Sequence, residues 1–310
     1  MNEQEIINEL LSKAATQTGH DLVYHAVTKN NGVQYQGVMI NDLGSIRPVI
    51  YIDSIVKQIK DGTATIDQGA DKICKQVELG LEGAKITPTW TWIVDGFSDF
   101  SNFRDRVYVS LVNRQENEKR LSNQPTVRFA NLLMTYRIKV GNQGDEIASM
   151  PVTNDMLKNW GISKAELAKS AMENTPKLFP YTACTMQDKI QEMTGEKLDT
   201  IGDFPMVILS NDIGIDGAVC ITDPEFLSKV SEQYFDGESF MILPSSVHEV
   251  IAIPKDMKTS EMLDMVGEVN RTAVDKKDFL ATSVYEFNAA KKQVQCIATE
   301  APIEHHKRTL

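Results

Sequence analysis

The chain has 310 residues, of which 42% are hydrophobic, and it carries a formal net charge of −11 at pH 7. This length and composition are sufficient for one large or two smaller hydrophobic cores, and they exclude a disordered or fibrous chain. No apolar run approaches the roughly 20 residues of a membrane-spanning helix, and residues 1–19 form an acidic amphipathic segment that does not resemble a secretory signal. We therefore expect a soluble cytoplasmic protein with no membrane partner.

The beginning of the chain predicts a helix followed by a small antiparallel meander. Helical periodicity over residues 1–15 precedes three extended runs at 21–27, 33–40 and 48–52. The first two runs are joined by an Asn-Asn-Gly turn, and an Asn-Gly pair between β-branched runs is a strong hairpin signal. Two further helices are predicted from periodicity, at 52–59 and 66–81.

The middle of the chain predicts two strands, 106–112 and 129–140, around a polar helix at 113–121 that Asn113 caps. Trp90 and Trp92 alternate with threonines, a pattern that indicates packing more than ligand binding. The following GNQG at 141–144 predicts a turn or linker. It suggests domains at 1–145 and 146–310, although the two halves could also form one continuous domain.

The second half predicts a central helical region and then a sheet of hairpins. Thr153 is the expected N-cap of a helix at 154–160, and Ser163 to Glu166 form a capping box for a helix that ends near Asn174, before Pro176. The remaining predicted helices are 184–193, 224–234 and 260–273, and the predicted strands are 206–210, 217–221, 239–243, 247–253, 283–288 and 293–298. The expected fold class is α+β, with a C-terminal antiparallel or mixed sheet and helices on one of its faces.

A local excess of positive charge marks residues 101–140, against the acidic trend of the whole chain. Eight basic residues face only three acidic ones there. We select Arg114, Arg120 and Arg128 as candidate partner-binding residues. The alternative is a solvated face, and the absence of interleaved aromatic residues argues against nucleic acid as the partner.

The segment 244–249, PSSVHE, contains the residue types of an activated serine nucleophile. If 247–253 is a strand, however, His248 and Glu249 point to opposite faces, so the carboxylate cannot orient the imidazole. Ser245 and Ser246 are expected at a turn, where serine hydroxyls bond nearby backbone. We therefore interpret Ser245, Ser246 and His248 as a contact surface before a catalytic one.

No cofactor or metal site is predicted. The four cysteines are far apart in sequence and lack a Cys-x-x-Cys pair, which favours free thiols over zinc ligands. Asp212, Asp216 and Asp223 do not have EF-hand spacing, and the glycines at 214 and 217 are too close together for a phosphate-binding loop.

Several segments resemble an uncharacterised bacterial family, a domain of unknown function numbered fifty-six eighty-eight. The segments are NNGV at 30–33, PVIYIDSIVKQIKDG at 48–62, LVNRQENEKRL at 111–121, VTNDMLKNWGISKAELAKSAMENT at 152–175 and ILPSSVHEVIAIP at 242–254. The resemblance implies an origin in gut Gram-positive bacteria or their phages and mobile elements. It implies no activity, cofactor or catalytic residue.

Three functional hypotheses follow. The first is a non-enzymatic accessory protein that binds a macromolecular partner, for instance in anti-defence, with the acidic second half presenting carboxylates to a basic partner. The second is an enzyme of unrecognised type, in which Arg114, Arg128, Asn211, Ser246 and His248 converge in a cleft between the halves. The third is phosphate or nucleic-acid binding through residues 101–140. The sequence leaves the oligomeric state open.

Overall fold

The computed structural model describes residues 1–42, 47, 49–86, 96–143, 146–195, 205–244 and 246–300. The expectations for Trp90, Trp92 and Ser245 lie outside the described residues. The described residues form helices and three antiparallel sheets of three, four and six strands. The predicted α+β class, with its N-terminal helix and strand meander, is confirmed.

The N-terminal unit consists of a three-stranded sheet covered on one face by helices. Its elements are α1 (Glu3–Thr18), β1 (Leu22–Thr28), β2 (Gln34–Ile40), β3 (Val49–Tyr51), α2 (Asp53–Lys60) and α3 (Ile66–Ile86). The strands pair in the order β1-β2-β3. Asn2 and Glu5 form a capping box that starts α1. Leu10, Val38 and Ile73 are fully buried between these helices and the sheet, so this unit has a hydrophobic cluster of its own.

A four-stranded sheet and two helices follow. Its elements are β4 (Val107–Asn113), α4 (Arg114–Asn117), β5 (Thr126–Phe129), β6 (Leu132–Gln143), β7 (Glu146–Pro151), α5 (Asn154–Trp160) and α6 (Lys164–Leu178). The predicted caps at Thr153 and Ser163 are confirmed. The predicted end near Asn174 is wrong, because Pro176 lies within the last turn of α6, and Asn174 and Thr175 instead bond to β4 through their side chains.

Two expectations for this region are corrected. The helix predicted over 113–121 is a single turn, α4, although Asn113 caps it as expected. The GNQG segment, predicted as a turn or linker, is strand up to Gln143, because β6 continues to that residue and pairs with β7. A division at 145/146 stays a prediction, but the described hydrophobic clusters group residues 6–77 and residues 103–287.

The six-stranded sheet has the order β13-β12-β10-β11-β9-β8. Its elements are β8 (Tyr181–Thr185), α7 (Met186–Thr194), β9 (Val207–Asn211), α8 (Pro224–Tyr234), β10 (Phe240–Leu243), β11 (Val250–Pro254), α9 (Thr259–Thr272), β12 (Ser283–Asn288) and β13 (Gln293–Thr299). Its helices pack on both faces, which differs from the single face expected. Leu227 of α8 packs on the side of Phe240, whereas Met262 of α9 packs on the side of Met241, and adjacent strand residues face opposite ways.

The strand predicted at 217–221 is a 3-10 helix, Gly217–Thr222. Asp216 has a left-handed backbone conformation with φ of 54°, which turns the chain away from an extended path. The apolar run that follows is buried in the main core as a helical turn. Short apolar runs do not distinguish a strand from a buried helical turn, which explains the error.

Candidate functional site

Five chain segments meet in one place, which we call the loop junction. They are residues 29–33, 113–120, 211–217, 246–249 and 275–280. At its centre Asn31 and Asn117, both fully buried, face each other as a reciprocal pair. The Asn31 backbone N–H donates to Asn117 Oδ1 at 3.0 Å, and Asn117 Nδ2 donates to Asn31 Oδ1 at 2.7 Å. Because buried amides must be satisfied, this pair fixes the β1–β2 turn against α4.

The segment 275–280 is held by asparagine side chains from two directions. Asn31 Nδ2 donates to the carbonyls of Lys276 and Phe279, both at 2.7 Å. Asn30 and Asn113 donate in the same way to the carbonyls of Lys277 and Leu280. These bonds connect the meander, α4 and the strand β12 that follows the segment. The asparagines of the NNGV and LVNRQENEKRL segments therefore have a structural role in common.

His248 is fixed by hydrogen bonds at both ring nitrogens. Its Nδ1 lies 3.3 Å from the Asp216 backbone N–H, and its Nε2 lies 3.1 Å from Asp278 Oδ1. Since Nδ1 accepts from an amide, the hydrogen-bond network assigns the proton of the neutral ring to Nε2, which donates to the carboxylate. The imidazole thus links the 211–217 loop to the 275–280 segment.

Ser246 has the turn geometry expected from the sequence. Its Oγ accepts hydrogen bonds from the backbone N–H groups of His248 and Glu249, both at 3.1 Å. The expected strand at 247–253 is shorter than predicted, since β11 begins at Val250 and His248 lies in the turn. The partner of the imidazole is Asp278 and not Glu249. The arrangement orders a turn, and Ser246 Oγ is not directed at the imidazole as a nucleophile would be.

The 211–217 loop brings Asp216 to the same place. Asn211 holds the loop by accepting from the N–H groups of Ile213 and Ile215, both at 3.3 Å. The Asp216 carboxylate interacts with the Ser110 hydroxyl of β4. Burial raises the pKa of the Asp216 carboxyl, while the nearby charges of Arg137 and His248 oppose that rise.

Two arginines of the basic segment approach each other at the edge of the junction. Arg120 Nε donates to Asn117 Oδ1 at 3.0 Å, and Arg137 Nη2 donates to Ser149 Oγ at 2.8 Å. Burial, together with the neighbouring Arg137 charge, lowers the pKa of the Arg120 guanidinium. Among the described carboxylates, none forms an ion pair with either guanidinium within 4.0 Å. Tyr108, directly opposite Arg137 on β4, adds a hydroxyl to this group.

The other two candidate arginines, Arg114 and Arg128, contact local partners. Arg114 pairs with Glu118 at 3.6 Å on the surface, and Arg128 donates to the carbonyl of Ala130 at 2.8 Å in the β5–β6 turn. No hydrogen bond between described residues connects either arginine to His248. Of the five residues that the enzyme hypothesis brings together, Asn211, Ser246 and His248 share the loop junction. Arg114 also belongs to one of its segments, but its side chain pairs with Glu118 on the surface, and Arg128 lies outside the junction.

Sequence reasoning did not select three residues of the junction, Asn31, Asp216 and Asp278, or Arg137 at its edge. Arg137 had a detectable signal, because it interrupts the apolar run LLMTYRIKV of β6. For Asn31 the sequence predicts a turn and nothing more. For Asp278, 30 residues from His248, the local sequence gives no signal.

Metal ligation has no support among the residues that the structure describes. No group of three or more His, Cys, Asp or Glu side chains is placed to hold an ion there. All four cysteines are free, with Cys220 buried and the other three partly buried. Burial raises the pKa of the Cys220 thiol far above its usual range, so it is an unreactive core residue.

A second feature is the face of the three-stranded meander sheet that is directed away from the covering helices, which we call the outer face. Residues paired across antiparallel strands share a face, so the register assigns its members. They are Val23, His25, Val27, Tyr35, Gly37, Met39, Val49 and Tyr51. None of them belongs to a hydrophobic cluster of the described residues.

The outer face has an ordered aromatic centre. The rings of Tyr35 and Tyr51 lie 5.4 Å apart, and the Lys29 ammonium lies 4.9 Å from the Tyr51 ring centroid. Gly37 lies beside Tyr51, and a Cβ at this position would approach Val49 Cγ1 to 2.6 Å. The glycine therefore keeps the centre of the face flat. Val23 and Tyr51 remain 39% and 40% exposed, a large exposure for apolar strand residues.

These features define an α+β protein with a buried amide network at a loop junction and an apolar sheet face. The chain belongs to a family of unknown function, DUF5688, whose model matches residues 4–289. No curated protein and no solved structure gives a significant match. Within the described residues, no helix has the length and apolar character needed to cross a membrane. Location in the cytoplasm stays a prediction.

Proposed function

We propose that the protein acts by binding a protein partner on the outer face, without catalysing a reaction. The observation that supports this most is the set of apolar and aromatic side chains on a sheet whose other face is already packed. Tyrosines held in place on such a surface lose little conformational entropy on binding and are frequent interface anchors. The resemblance to a family of bacteria and their mobile elements adds a biological setting. In that setting, the protein would act in anti-defence by covering a surface of its partner.

The loop junction fits this proposal as a structural element. His248 has both ring nitrogens engaged, and Ser246 Oγ accepts two amide bonds. A catalytic base and nucleophile need to reach a substrate and each other, and these hydrogen bonds direct both groups to the protein itself.

Replacing Tyr51 with serine is expected to weaken partner binding about 30-fold, corresponding to the roughly 2 kcal/mol that a central aromatic anchor contributes. The matched control is Leu79→Ser, which removes an apolar side chain that is 58% exposed on α3, away from the outer face. The measurement is quantitative recovery of bound proteins by each variant from lysate of the source cells, followed by titration of the recovered protein.

Measuring partner recovery at low salt and at high salt distinguishes binding through the outer face from binding through a charged surface. Binding through apolar side chains persists at 0.5 M salt, whereas binding through the acidic second half is screened. Recovery of no stoichiometric partner at either concentration, or equal recovery by wild type and Tyr51→Ser, would contradict the proposal.

A second candidate function is binding of an anionic ligand by Arg120 and Arg137. Two neighbouring guanidiniums without a carboxylate within 4.0 Å among the described residues support it, since such a pair repels itself until an anion is bound. Asp216 opposes it as a nearby acidic group that faces Arg137. This candidate corresponds to the phosphate alternative for residues 101–140.

Inorganic phosphate is expected to stabilise the wild type by about 2.7 kcal/mol at a concentration one hundred times its Kd. Arg120→Gln should lose this stabilisation, while Arg128→Gln, which removes an exposed arginine outside the junction, should keep it. Thermal unfolding in phosphate and in chloride of equal ionic strength measures the effect. Equal stabilisation of all three proteins would indicate a general salt effect and would contradict a site at Arg120.

A further inference from the structure

The open edge of β1 is a separate feature from the outer face. Strand β1 pairs with β2 on one side only, in a continuous register from Leu22 opposite Ile40 to Thr28 opposite Gln34. In an antiparallel ladder, every second residue of a strand directs its N–H and C=O groups to the neighbouring strand on one side. The residues between them direct theirs to the opposite side. The Asp21 carbonyl and the Lys29 N–H both bond toward β2, so the odd-numbered residues face β2. The even-numbered residues of β1 therefore direct their backbone groups outward.

These outward groups are accessible. Tyr24 is 39% exposed, and His25 and Ala26 are exposed as well, although they lie on opposite faces of the sheet. Among the described residues, no backbone hydrogen bond from outside the ladder reaches an even-numbered residue of β1. The edge thus offers a complete row of donors and acceptors for another strand.

Three other strand edges among the described residues, those of β4, β3 and β13, are protected in ways that β1 lacks. The edge of β4 is covered by α6, where Thr175 Oγ1 accepts from the Val109 N–H. Strand β3 is only three residues long, and the ladder of β13 contains a bulge. Strand β1 has seven residues, no bulge, no proline and no lysine or carboxylate. Lys, Pro and bulges are the usual devices against edge-to-edge pairing.

We propose that β1 pairs with β1 of a second copy of this chain, antiparallel about a two-fold axis at His25. In this register Tyr24 lies opposite the partner's Ala26, and Leu22 lies opposite the partner's Thr28. Both are even-numbered pairs, as the outward direction of the backbone groups requires. All seven residues of β1 take part, and the two meanders form one six-stranded sheet.

Charge complementarity selects the second copy as the occupant. The same register places Asp21 opposite the partner's Lys29 at each end of the paired strands. Both residues are exposed, and both have their side chains on the outer face with the other odd-numbered residues. Opposite charges at directly facing strand positions favour pairing, and two-fold symmetry forms the pair twice. Shifting the register by two residues in either direction would lose both pairs.

The outer faces of the two copies become continuous in this dimer, with Val23 opposite the partner's Val27. The proposal concerns the strand edge and does not depend on a partner at the outer face. The β1 dimer and the partner at the outer face can be tested separately, because dimerisation is measured on the purified chain alone.

A charge-swap series tests the proposal by sedimentation velocity at protein concentrations from about 1 to 200 µM. The wild type is expected to form a dimer of the 34.7 kDa chain. Asp21→Lys and Lys29→Asp should each raise the dimer Kd about tenfold or more, since each creates two like-charge contacts. The double variant should restore the wild-type Kd within about threefold, because the pairs are re-formed with reversed sign.

A pair of cysteine variants tests the register independently. His25→Cys places two thiols on the axis at a Cα separation of about 4.5 Å, within disulfide reach, and should give an oxidised covalent dimer. In Val27→Cys the two thiols are offset by four residues, about 13 Å along the strands, and should not cross-link. The wild type, with its four cysteines, sets the background.

Three results would overturn the proposal. They are a wild-type monomer at every concentration, a double charge-swap variant as weak as the single ones, and equal cross-linking of the two cysteine variants. Circular dichroism spectra identical to wild type establish that the variants are folded, as expected for substitutions at three exposed positions and at the partly buried Val27.

Discussion

Replacing Asn117 with alanine is expected to lower the free energy of unfolding by about 3 kcal/mol. The substitution leaves the fully buried Asn31 N–H without an acceptor, and it removes the acceptor of Arg120 Nε. The Asn113 carbonyl also loses the donor Asn117 Nδ2. Each buried polar group left unsatisfied costs about 1–3 kcal/mol, so even partial access of water leaves a large effect.

Urea unfolding followed by circular dichroism and by tryptophan fluorescence measures this loss. The matched control is Asn123→Ala, since Asn123 is exposed and makes a single side-chain bond, to Asp155 at 3.2 Å. It should change stability by less than about 0.5 kcal/mol. An effect of Asn117→Ala below about 1 kcal/mol would show that the amide network does not hold the junction together.

Replacing Gly217 with alanine is expected to destabilise the protein by about 3 kcal/mol, at the upper end of overpacking effects. A Cβ at this position would overlap Ser210 Oγ and the His248 carbonyl oxygen, and it would lie 2.9 Å from the Asn211 N–H. Two of these neighbours are backbone atoms of ordered elements and cannot move aside as a flexible side chain does. The substitution should therefore also displace His248 from Asp278.

Gly141→Ala is the matched control for this prediction. Gly141 lies in β6, has no positive φ, and has open space where a Cβ would be placed. Alanine there should be neutral or slightly stabilising, because it lowers the entropy of the unfolded chain. Urea midpoints and the imidazole NMR signal of His248 report the two consequences separately. Similar midpoints for the two variants would mean that the 211–217 loop can relax away from His248.

Local signals in the sequence predicted local structure well. The Asn-Asn-Gly turn, the cap at Thr153 and the capping box at Ser163 each depend on neighbouring residues. Periodicity identified α8, which buries one side against the core, and the apolar run of β12 identified a strand that is buried on both faces. These features depend on contacts that the sequence itself brings close together.

Predictions that depended on distant contacts were less accurate. The run at 217–221 was expected to be a strand, and it is a 3-10 helix because the left-handed Asp216 and the close approach of Gly217 to His248 turn the chain. His248 was expected in a strand beside Glu249, and its partner is instead Asp278. Periodicity gives no information on either contact.

The candidate site residues show the same difference between local signals and distant contacts. Sequence reasoning selected Arg120, Ser246 and His248, and all three lie at or beside the loop junction. Their hydrogen bonds described here are to the protein itself, and their role in a contact surface stays a prediction. The outer face was not anticipated, although its strands were predicted, because the register that sorts residues between faces was not assigned.

By itself the sequence determined an α+β protein with a helix, a meander and a hairpin-rich second half, since caps, turns and periodicity act over a few residues. Only the tertiary structure decided that Asn31, Asn117 and Phe279 meet, across separations of 86 and 248 residues. It also decided that one face of the meander is packed and the other open. The physical reason is that hydrogen-bond partners and burial depend on which elements pack together, and this is a property of the whole chain.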